Sequence, residues 1–457
     1  MLRGAPSGVR RRLLLVASKT GYQVREFQEA AERLGVDLVL ATDRCHILND
    51  PWGDHAIALR FDAPGGLEHV DIETLRARGP FDGILAVGDG PALVAAFCAE
   101  RLGLRFHPSR AVRAANDKQR TRERFRDAGL KVPDFGTAAA QRFPCVLKPL
   151  HSSASRGVIR ADTPAEFAEA LARIHKIIGE ADVLVEDFIP GREFALEGIV
   201  TAGKLQTLAI FDKPDPLDGP FFEETIYVTP SREPASVQCA IRETAQLAVT
   251  ALGLEFGPVH AEMRVNDRGV WMLEAAARPI GGLCSRVLRF DGGINREGTG
   301  LDKHSDLDVV GAESHTSTLA PTSCPGRLPK VPPSLATLPA TREVSGLEDV
   351  LLLHALGEDV TRASLAPGAH GVMMIPIPAA GIYSGVAGVE QARETAHIEA
   401  VEITAKVGQR LEPLPEGASY LGFLFARAPD SERVEEALRH AHGLLRFTIL
   451  PRLAIVR

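Results

Sequence analysis

The sequence predicts a chain of the α/β and α+β classes, with a parallel sheet near its amino terminus. In the first hundred residues, short apolar runs alternate with helical patterns, which is typical of a parallel sheet covered by helices on both faces. After Pro133 strand patterns predominate, and a smaller mixed segment follows residue 346. A chain of 457 residues has the length of about two to four domains.

The amino-terminal strands are predicted from apolar runs, and the helices between them from apolar residues on one face. The strands are Leu13–Ala17, Val36–Ala41, Ile57–Phe61 and Gly83–Val87, and the helices are 22–34, Ile72–Arg78 and Ala92–Leu102. This pattern resembles a Rossmann-like domain over residues 1–107, although the G-x-G-x-x-G fingerprint of dinucleotide binding is missing. Gly88-Asp89-Gly90 is either a ligand-facing turn or a plain turn, and we favour the plain turn.

A second domain is predicted over residues 108–297, and most of its elements are strands. Asn116-Asp117 is expected to cap a helix that runs through Asp127, because short polar side chains accept hydrogen bonds from the free N–H groups of a helix start. The last two strands and the hairpin turn between them are Gly257–Val265, Asn266-Asp267-Arg268-Gly269 and Val270–Ala276.

The third region, residues 298–345, contains no Phe, Trp or Tyr and is rich in Pro, Ser, Thr and Gly. Such a composition predicts a disordered or loosely packed insertion. A small α+β domain is predicted over residues 346–457, with a strand at Tyr420–Ala426 and an amphipathic helix at Ser431–Leu445.

The overall composition favours a cytoplasmic globular protein. The net charge is −7, which gives no electrostatic reason to expect nucleic acid as a partner. The six cysteines are dispersed without a C-x-x-C pair, so a zinc finger or a disulfide framework is not expected. No apolar run approaches the ~20 residues that a membrane helix needs, and Leu13–Ala17 is interpreted as a buried strand instead of a signal peptide.

Two consecutive segments are candidates for binding phosphate. Lys148 ends an apolar strand, where an ammonium group is costly unless it meets a negative charge; the alternative is a solvent-exposed strand end. The loop 152–157 follows, and its small residues Ser153, Ser155 and Gly157 would let backbone N–H groups approach phosphate closely. The alternative for this loop is an ordinary serine-rich turn.

A strand and an acidic linker over 183–194 form a candidate nucleotide hinge. Backbone groups in such a linker can bind a purine edge, and Glu193 can reach ribose hydroxyls. The alternative is a polar hairpin with surface carboxylates. The linker residues concerned are Glu186, Asp187, Phe188 and Ile189.

Glu262 and Glu274 lie on the two strands of the predicted hairpin, which brings their carboxylates near each other. Adjacent carboxylates repel unless a cation lies between them, and Mg²⁺ binds one or two carboxylates together with phosphate oxygens. The alternative is a surface ion pair between Glu274 and Arg278. The apolar residues around Glu274 argue against a surface position.

Taken in order, these segments resemble the ATP-grasp superfamily. The matching features are Lys118, Lys148-Pro149, the loop 152–157, Glu186-x6-Glu193, Glu262, Glu274 and Arg278. The run Leu273–Gly282 is similar to the signature of the L-amino acid ligase branch, which makes dipeptides. Tyr420–Ala426 is similar to the terminal domain of that branch, and the resemblance covers most of the chain outside 298–345.

The resemblance implies a role for each candidate residue. Lys118 and Lys148 would bind the phosphates of ATP, Glu262 and Glu274 would hold two Mg²⁺ ions, with Mn²⁺ as an alternative, and Arg278 would bind the carboxylate substrate and its acyl-phosphate. Glu186 through Ile189 would hold adenine, and Glu193 the ribose. His260 and Lys213 are candidate substrate contacts, whose alternatives are a hydrogen-bonded core histidine and a loop lysine.

The implied activity is an ATP-dependent carboxylate–amine ligase that forms an amide or peptide bond through an acyl-phosphate and releases ADP and phosphate. Its partners would be a small carboxylate and an amine, expected to be amino acids, and a homodimer is expected by analogy. Two alternatives remain open, a carboxylating or purine-synthesis ligase of the same superfamily and a non-catalytic ATP-binding protein. The chain departs from its relatives in the serine-rich loop with Arg156 and in the insertion.

Overall fold

Four parallel strands form the amino-terminal sheet of the computed structural model, which describes residues 10–18, 22–43, 56–59, 67, 70–136, 142–291, 293–295 and 341–451. The strand order is β3-β2-β1-β4, and most side chains of the two central strands, β2 and β1, are buried. The predicted parallel sheet is therefore confirmed. Its elements are β1 (Arg12–Ala17), α1 (Tyr22–Leu34), β2 (Asp37–Thr42), β3 (Ala56–Ala58), α2 (Ile72–Arg78), β4 (Gly83–Val87) and α3 (Asp89–Leu102).

Two short helices lead from this sheet into a small antiparallel unit, which we call the small unit (β5 to β8 with α6). The predicted cap is confirmed, because the Asp117 side chain accepts a hydrogen bond from Arg120 N at the start of α5. The small unit has its own apolar core, separate from the other cores described. The elements are α4 (Ser109–Ala115), α5 (Lys118–Asp127), β5 (Phe135–Gly136), β6 (Cys145–Pro149), β7 (Ile159–Ala161), α6 (Pro164–Ile178) and β8 (Val183–Asp187).

An eight-stranded antiparallel sheet spans the rest of the described chain, in the order β13-β12-β9-β10-β11-β18-β22-β20. Its amino-terminal strands and the helix that covers them are β9 (Arg192–Thr201), β10 (Lys204–Lys213), β11 (Ile226–Thr229), α7 (Ala235–Leu252), β12 (Phe256–Asn266) and β13 (Gly269–Ala276). The remaining elements are β14 (Phe290–Asp291), β15 (Gly293–Asn295), β16 (Thr341–Glu343), α8 (Leu347–Ala355), β17 (Ser364–Leu365), β18 (Ala369–Ile375), β19 (Gly381–Ala387), α9 (Val389–Arg393), β20 (Ile398–Ile403), β21 (Arg410–Leu411), β22 (Gly422–Ala428), α10 (Ser431–Leu444) and β23 (Arg446–Leu450).

This sheet is continuous across residue 346, where the sequence places a domain boundary. Strand β18, from the predicted last domain, pairs with β11, from the predicted second domain. The predicted insertion 298–345 lies outside the described residues as far as residue 340. Its last described residues include β16, which pairs with β15 just before the predicted insertion, so the two chain positions are adjacent.

Helix α8 attaches the later part of the chain to the amino-terminal sheet. All nine of its residues are buried, and it packs against α1 and β4. A Cβ atom at Gly83 would lie 2.6 Å from the Ala355 carbonyl oxygen, so only glycine fits at this position. No helix in the described ranges is long and apolar enough to cross a membrane.

Candidate active site

A cavity of about 720 Å³ lies where the amino-terminal sheet, the small unit and the eight-stranded sheet meet. Most of the predicted site residues line it, although they come from distant parts of the sequence. Gly157 and Lys213 are the two predicted residues that lie off the wall. Those on the wall are Lys118, Lys148, Ser153, Ser155, Glu186, Asp187, Phe188, Ile189, Glu193, His260, Glu262, Glu274 and Arg278.

One end of the cavity is organised around the buried carboxylate of Glu186. Lys148 Nζ lies 2.7 Å from Glu186 Oε2, and Arg122 Nε lies 2.6 Å from Glu186 Oε1. Burial alone would raise the pKa of the Glu186 carboxyl, but Arg122 and Lys148 lower it to about 2. The negative charge expected beside Lys148 is thus supplied within the chain, and Lys148 also faces the cavity.

Arg122 is a residue that the sequence interpretation missed. It is almost completely buried, which is rare for an arginine unless it is paired, as Arg122 is with Glu186. The available signal was its spacing from Lys118, because residues four apart in a helix lie on the same face. Helix α5 therefore presents Lys118 to the cavity and Arg122 to the carboxylate beneath it.

The serine-rich loop has an unusual backbone. Ala154 and Ser155 have φ angles of 54° and 53°, in the left-handed region that non-glycine residues rarely occupy. Gly157 also has positive φ, and a Cβ atom there would lie 2.8 Å from Pro149 Cγ. Lys118 Nζ donates a hydrogen bond to Ser152 O. The loop thus has a strained backbone next to a lysine, and Ser153, Ala154 and Ser155 line the cavity.

Most backbone groups of the acidic linker are bonded within the protein. The N–H groups of Asp187 and Phe188 donate to Asp134 O and Pro144 O, at 2.8 and 3.0 Å. Among the hydrogen bonds of the described residues, the Ile189 N–H makes none, so it remains available to a purine edge. The alternative of surface carboxylates is wrong for Glu186 and Glu193, because both are buried.

The register of the hairpin brings the predicted carboxylate pair together. Glu262 and Glu274 are direct partners across β12 and β13, as predicted. The register shifts at this point, since Met263 pairs with Met272 and Leu273 is left without a partner. Without this bulge, the turn at 266–269 would pair Glu262 with Leu273 and turn Glu274 to the opposite face.

Lys213 is buried at the end of β10 and lies among three carboxylates. Its Nζ is 2.9 Å from Glu193 Oε1 and 2.9 Å from Glu262 Oε1, and it also donates to Glu224 Oε1. Burial alone would lower the pKa of Lys213, but the Glu224 and Glu262 carboxylates raise it well above its ordinary value. The alternative of a loop lysine is wrong, because Lys213 is the last residue of β10, and Lys213 does not line the cavity where substrate contacts were predicted.

His260 both lines the cavity and belongs to a buried hydrogen-bond network. Its Nδ1 lies 3.1 Å from Glu197 Oε2, and its Nε2 lies 3.5 Å from Glu262 Oε1. Burial alone would lower the pKa of His260, but its two carboxylate partners raise it to about 9. Glu197 accepts a further hydrogen bond from Ile280 N, so it joins His260 to the segment that follows β13.

Arg278 meets a residue of the amino-terminal sheet. Its Nε donates a 2.7 Å hydrogen bond to Asp89 Oδ1. The predicted turn at 88–90 is the start of α3, and its residues line the cavity at the carboxyl end of β4. The alternative of a surface Glu274–Arg278 pair is wrong, since Arg278 bonds Asp89 and Glu274 lines the cavity.

Two family models match the chain. Residues 141–287 match the ATP-grasp domain, and residues 373–449 match the L-amino acid ligase C-terminal domain 2. A solved structure of an L-amino acid ligase from Bacillus licheniformis superposes with a TM-score of 0.72 over 97% of this chain and all of that chain, at 22% sequence identity. That similarity shows a shared fold.

Curated relatives are similar over shorter stretches. The alanine–anticapsin ligase of Bacillus subtilis (strain 168) is 28% identical over 215 residues, which are 40% of this chain and 45% of the relative. The D-alanine–D-alanine ligase of Alcanivorax borkumensis is 29% identical over 166 residues, which are 34% of this chain and 52% of the relative. The chain thus spans about half the length of these relatives. The chain therefore contains a segment that matches the ATP-grasp domain and a later segment that matches the L-amino acid ligase C-terminal domain 2, within a fold that it shares with an L-amino acid ligase.

Proposed function

We propose that the chain is an ATP-dependent carboxylate–amine ligase that forms an amide or peptide bond through an acyl-phosphate. The observation that carries the proposal is the convergence of two lysines, two strand-paired carboxylates and a partly buried arginine in one cavity. Phosphoryl transfer requires little covalent chemistry from a protein but needs cations held at fixed positions. This cavity holds three such cations, Lys118 on α5, Lys148 on β6 and Arg278 after β13.

In the first step, an oxygen of the substrate carboxylate attacks the γ-phosphorus of ATP, the bond to ADP breaks, and ADP leaves. Lys118 and Lys148 would bind the phosphate oxygens. Because both lysines border a largely buried cavity, their charges are screened less than in open water. Glu186 would keep Lys148 extended toward the phosphates.

Arg278 would bind the carboxylate substrate. Asp89 holds the Nε edge of its guanidinium, which fixes the plane of the group and orients the remaining N–H donors. A guanidinium held in this way suits a carboxylate or an acyl-phosphate, because its donors match paired oxygens. In the second step, the deprotonated amine attacks the carbonyl carbon, the bond from carbon to phosphate oxygen breaks, and phosphate leaves.

The carboxylates of the site suit Mg²⁺, with Mn²⁺ as an alternative. Carboxylate oxygens are the hard ligands that these ions prefer, and Glu262 and Glu274 are direct partners across β12 and β13. Beside this pair, oxygens of Glu193, Glu224 and Glu262 lie within 4.8 Å of one another around Lys213 Nζ. Glu262 and Glu274 would hold the ions, which would neutralise charge on the phosphate oxygens. Lys213 balances part of the negative charge of this cluster within the protein.

Amino acids are the proposed substrates. The names of the relatives support this class, since they describe ligases of alanine and of D-alanine. A location in the cytoplasm and a homodimer stay predictions; sedimentation of the purified protein tests the second.

The proposal is tested by measuring the release of ADP and phosphate from Mg·ATP, with pairs of the twenty amino acids and with bicarbonate in a separate series. We expect release that depends on two amino acids, together with a product whose mass equals their sum less one water. Release only with bicarbonate, or ATP binding without release in any mixture, would contradict the proposed activity.

A further inference from the structure

The small unit meets the carboxy-terminal part of the chain through a tight turn at residues 413–417, which we call the 413–417 turn. Gly417 N donates a 2.9 Å hydrogen bond to Pro413 O and closes the turn. A Cβ atom at Gly417 would lie 1.8 Å from Glu412 O, so no larger residue closes the turn in this form. The turn follows β21, which pairs with β19 of the carboxy-terminal region.

The 413–417 turn contacts the serine-rich loop directly. Gly157 N donates a 2.9 Å hydrogen bond to Pro415 O, and Arg156 Nε donates to Glu416 O at 3.1 Å. These contacts immediately follow Ala154 and Ser155, the two residues with left-handed backbone. A strained conformation persists only where surrounding contacts hold it, and these two hydrogen bonds hold the end of the loop.

The same turn also contacts helix α6 of the small unit. Arg173 Nε and Nη2 donate to Glu416 Oε1 and Oε2 at 2.6 and 2.9 Å, in the bidentate geometry that makes such pairs specific. The hydrogen bonds from Arg173 lower the pKa of the Glu416 carboxyl, which keeps it charged. Glu416 therefore holds α6 with its side chain and Arg156 with its backbone carbonyl.

The packing of the small unit explains why these polar contacts matter. Its apolar core consists of residues from its own strands and α6, with Phe221 packed at its edge. A unit with a separate core can move as a body, so its position depends on the contacts that join it to the rest of the chain. The Arg173–Glu416 pair and the two loop contacts join it to the carboxy-terminal region.

We infer that Glu416 is a positioning residue for the nucleotide loop 152–157, although it lies far away in sequence and does not line the cavity. In this role the carboxy-terminal region keeps the small unit and its loop closed over the nucleotide. The inference rests on the proposed use of that loop for nucleotide phosphates. Arg156, the residue that departs from the family pattern, helps to hold the loop because its Nε donates a hydrogen bond to Glu416 O.

Trypsin cleavage measures closure without any catalysis. The bond between Arg156 and Gly157 is a trypsin site, Arg156 is exposed, and the Gly157 N–H is bonded to Pro415 O. The protease can cut this bond only when the loop leaves the 413–417 turn. We expect Glu416→Gln and Arg173→Gln each to accelerate cleavage at this bond about three- to tenfold, as suits an exposed bidentate pair.

Three further variants test whether faster cleavage comes from loss of the Arg173–Glu416 pair or from a lower stability of the whole protein. The double variant Arg173→Gln with Glu416→Gln should cleave no faster than either single variant, because both changes remove one interaction. The exchange Arg173→Glu with Glu416→Arg should restore slower cleavage. Glu390→Gln, which removes the pair with Arg393 inside α9, is the matched control and should leave the rate unchanged.

A variant that trypsin cleaves faster should also bind ATP more weakly in steady-state kinetics. We expect Glu416→Gln to raise the KM for ATP about three- to tenfold with kcat changed less than about twofold, because the reacting groups are untouched. Cleavage within twofold of the parent in both single variants, or faster cleavage with an unchanged KM, overturns the inference. If the variants are cleaved faster but the parent protein releases no ADP with any substrate, the proposed activity is wrong. The contact between the 413–417 turn and the loop would still be supported by the cleavage rates.

Discussion

Glu274 is the residue on which the proposed chemistry depends most. It faces the cavity as the direct strand partner of Glu262, and Arg278 is the cation whose charge it meets. Glu274→Gln should lower the rate of ADP release at least ~10³-fold, because it removes a charge that is needed most in the transition state. The unfolding midpoint should stay close to that of the parent.

Steady-state kinetics of Glu274→Gln beside Glu243→Gln would test this expectation. Glu243 lies on the exposed face of α7 and contacts only Cys239 among the side chains described, so its variant should keep full activity. Near-normal turnover in Glu274→Gln would rule out the metal assignment.

The carboxyl group of Glu348 should make the free energy of unfolding depend on pH. It is buried on α8, and burial raises its pKa from the ordinary 4.5 to about 6. The folded state therefore binds a proton more tightly than the unfolded state, so the free energy of unfolding decreases as pH rises from about 4.5 to about 6. Above about pH 6, this effect lowers the free energy of unfolding by about 2 kcal/mol relative to its value below pH 4.5.

Glu348→Gln removes this dependence because glutamine stays neutral. We expect the variant to exceed the parent in unfolding free energy by up to about 2 kcal/mol at pH 7.5, and to match it at about pH 4.5. Urea denaturation at the two pH values provides the measurement. A variant that is less stable than the parent at pH 7.5 would show that the carboxylate makes favourable contacts there.

At the scale of single elements, helix α5 holds Lys118 at the cavity wall and Arg122 against the buried Glu186 carboxylate. Its cap, Asp117, comes directly before Lys118, and Arg122 lies one turn later. Asp117→Ala should lower the free energy of unfolding by about 1 kcal/mol through loss of the hydrogen bond to Arg120 N. Asp117→Asn keeps a side-chain oxygen that can accept this hydrogen bond, so its free energy of unfolding should decrease by only a small part of that amount.

Chemical denaturation of the two Asp117 variants measures this effect, and titration with ATP adds a second observation. If the cap also fixes the direction of Lys118, ATP affinity should decrease in the alanine variant and much less in the asparagine variant. Equal stability of both variants would mean that the cap contributes little.

The hairpin of β12 and β13 shows how much an element can be predicted. The turn 266–269 and both strands were predicted from composition and alternation, and the structure confirms them. The bulge at Leu273 has no clear signal in one sequence, because its local residues also fit a regular strand. Yet this single extra residue is what turns Glu274 toward Glu262.

At the scale of the whole molecule, α8 holds the amino-terminal sheet against the rest of the chain. Gly83→Ala would place a Cβ atom 2.6 Å from the Ala355 carbonyl oxygen, and one of the two backbones must move. We expect a loss of about 1–3 kcal/mol in unfolding free energy, which is typical of overpacking. Gly90→Ala is the matched control, because a Cβ atom there meets nothing within 4 Å.

Thermal unfolding of both alanine variants would test the contact. The Gly90 variant should be as stable as the parent or slightly more stable, since alanine favours the helix. A Gly83 variant of parental stability would mean that α8 can shift without cost.

The sequence by itself determined the parallel sheet, the cap of α5, the hairpin and a set of charged and polar residues most of which line the cavity. These features depend on local signals, namely apolar periodicity, turn composition and the order of charged residues along the chain. The tertiary structure alone decided that Asp89 bonds Arg278, that Arg122 and Lys148 share Glu186, and that Glu416 meets the loop 152–157. Each of these contacts joins residues from different elements, and their distances depend on how sheets and helices pack, which no local pattern encodes.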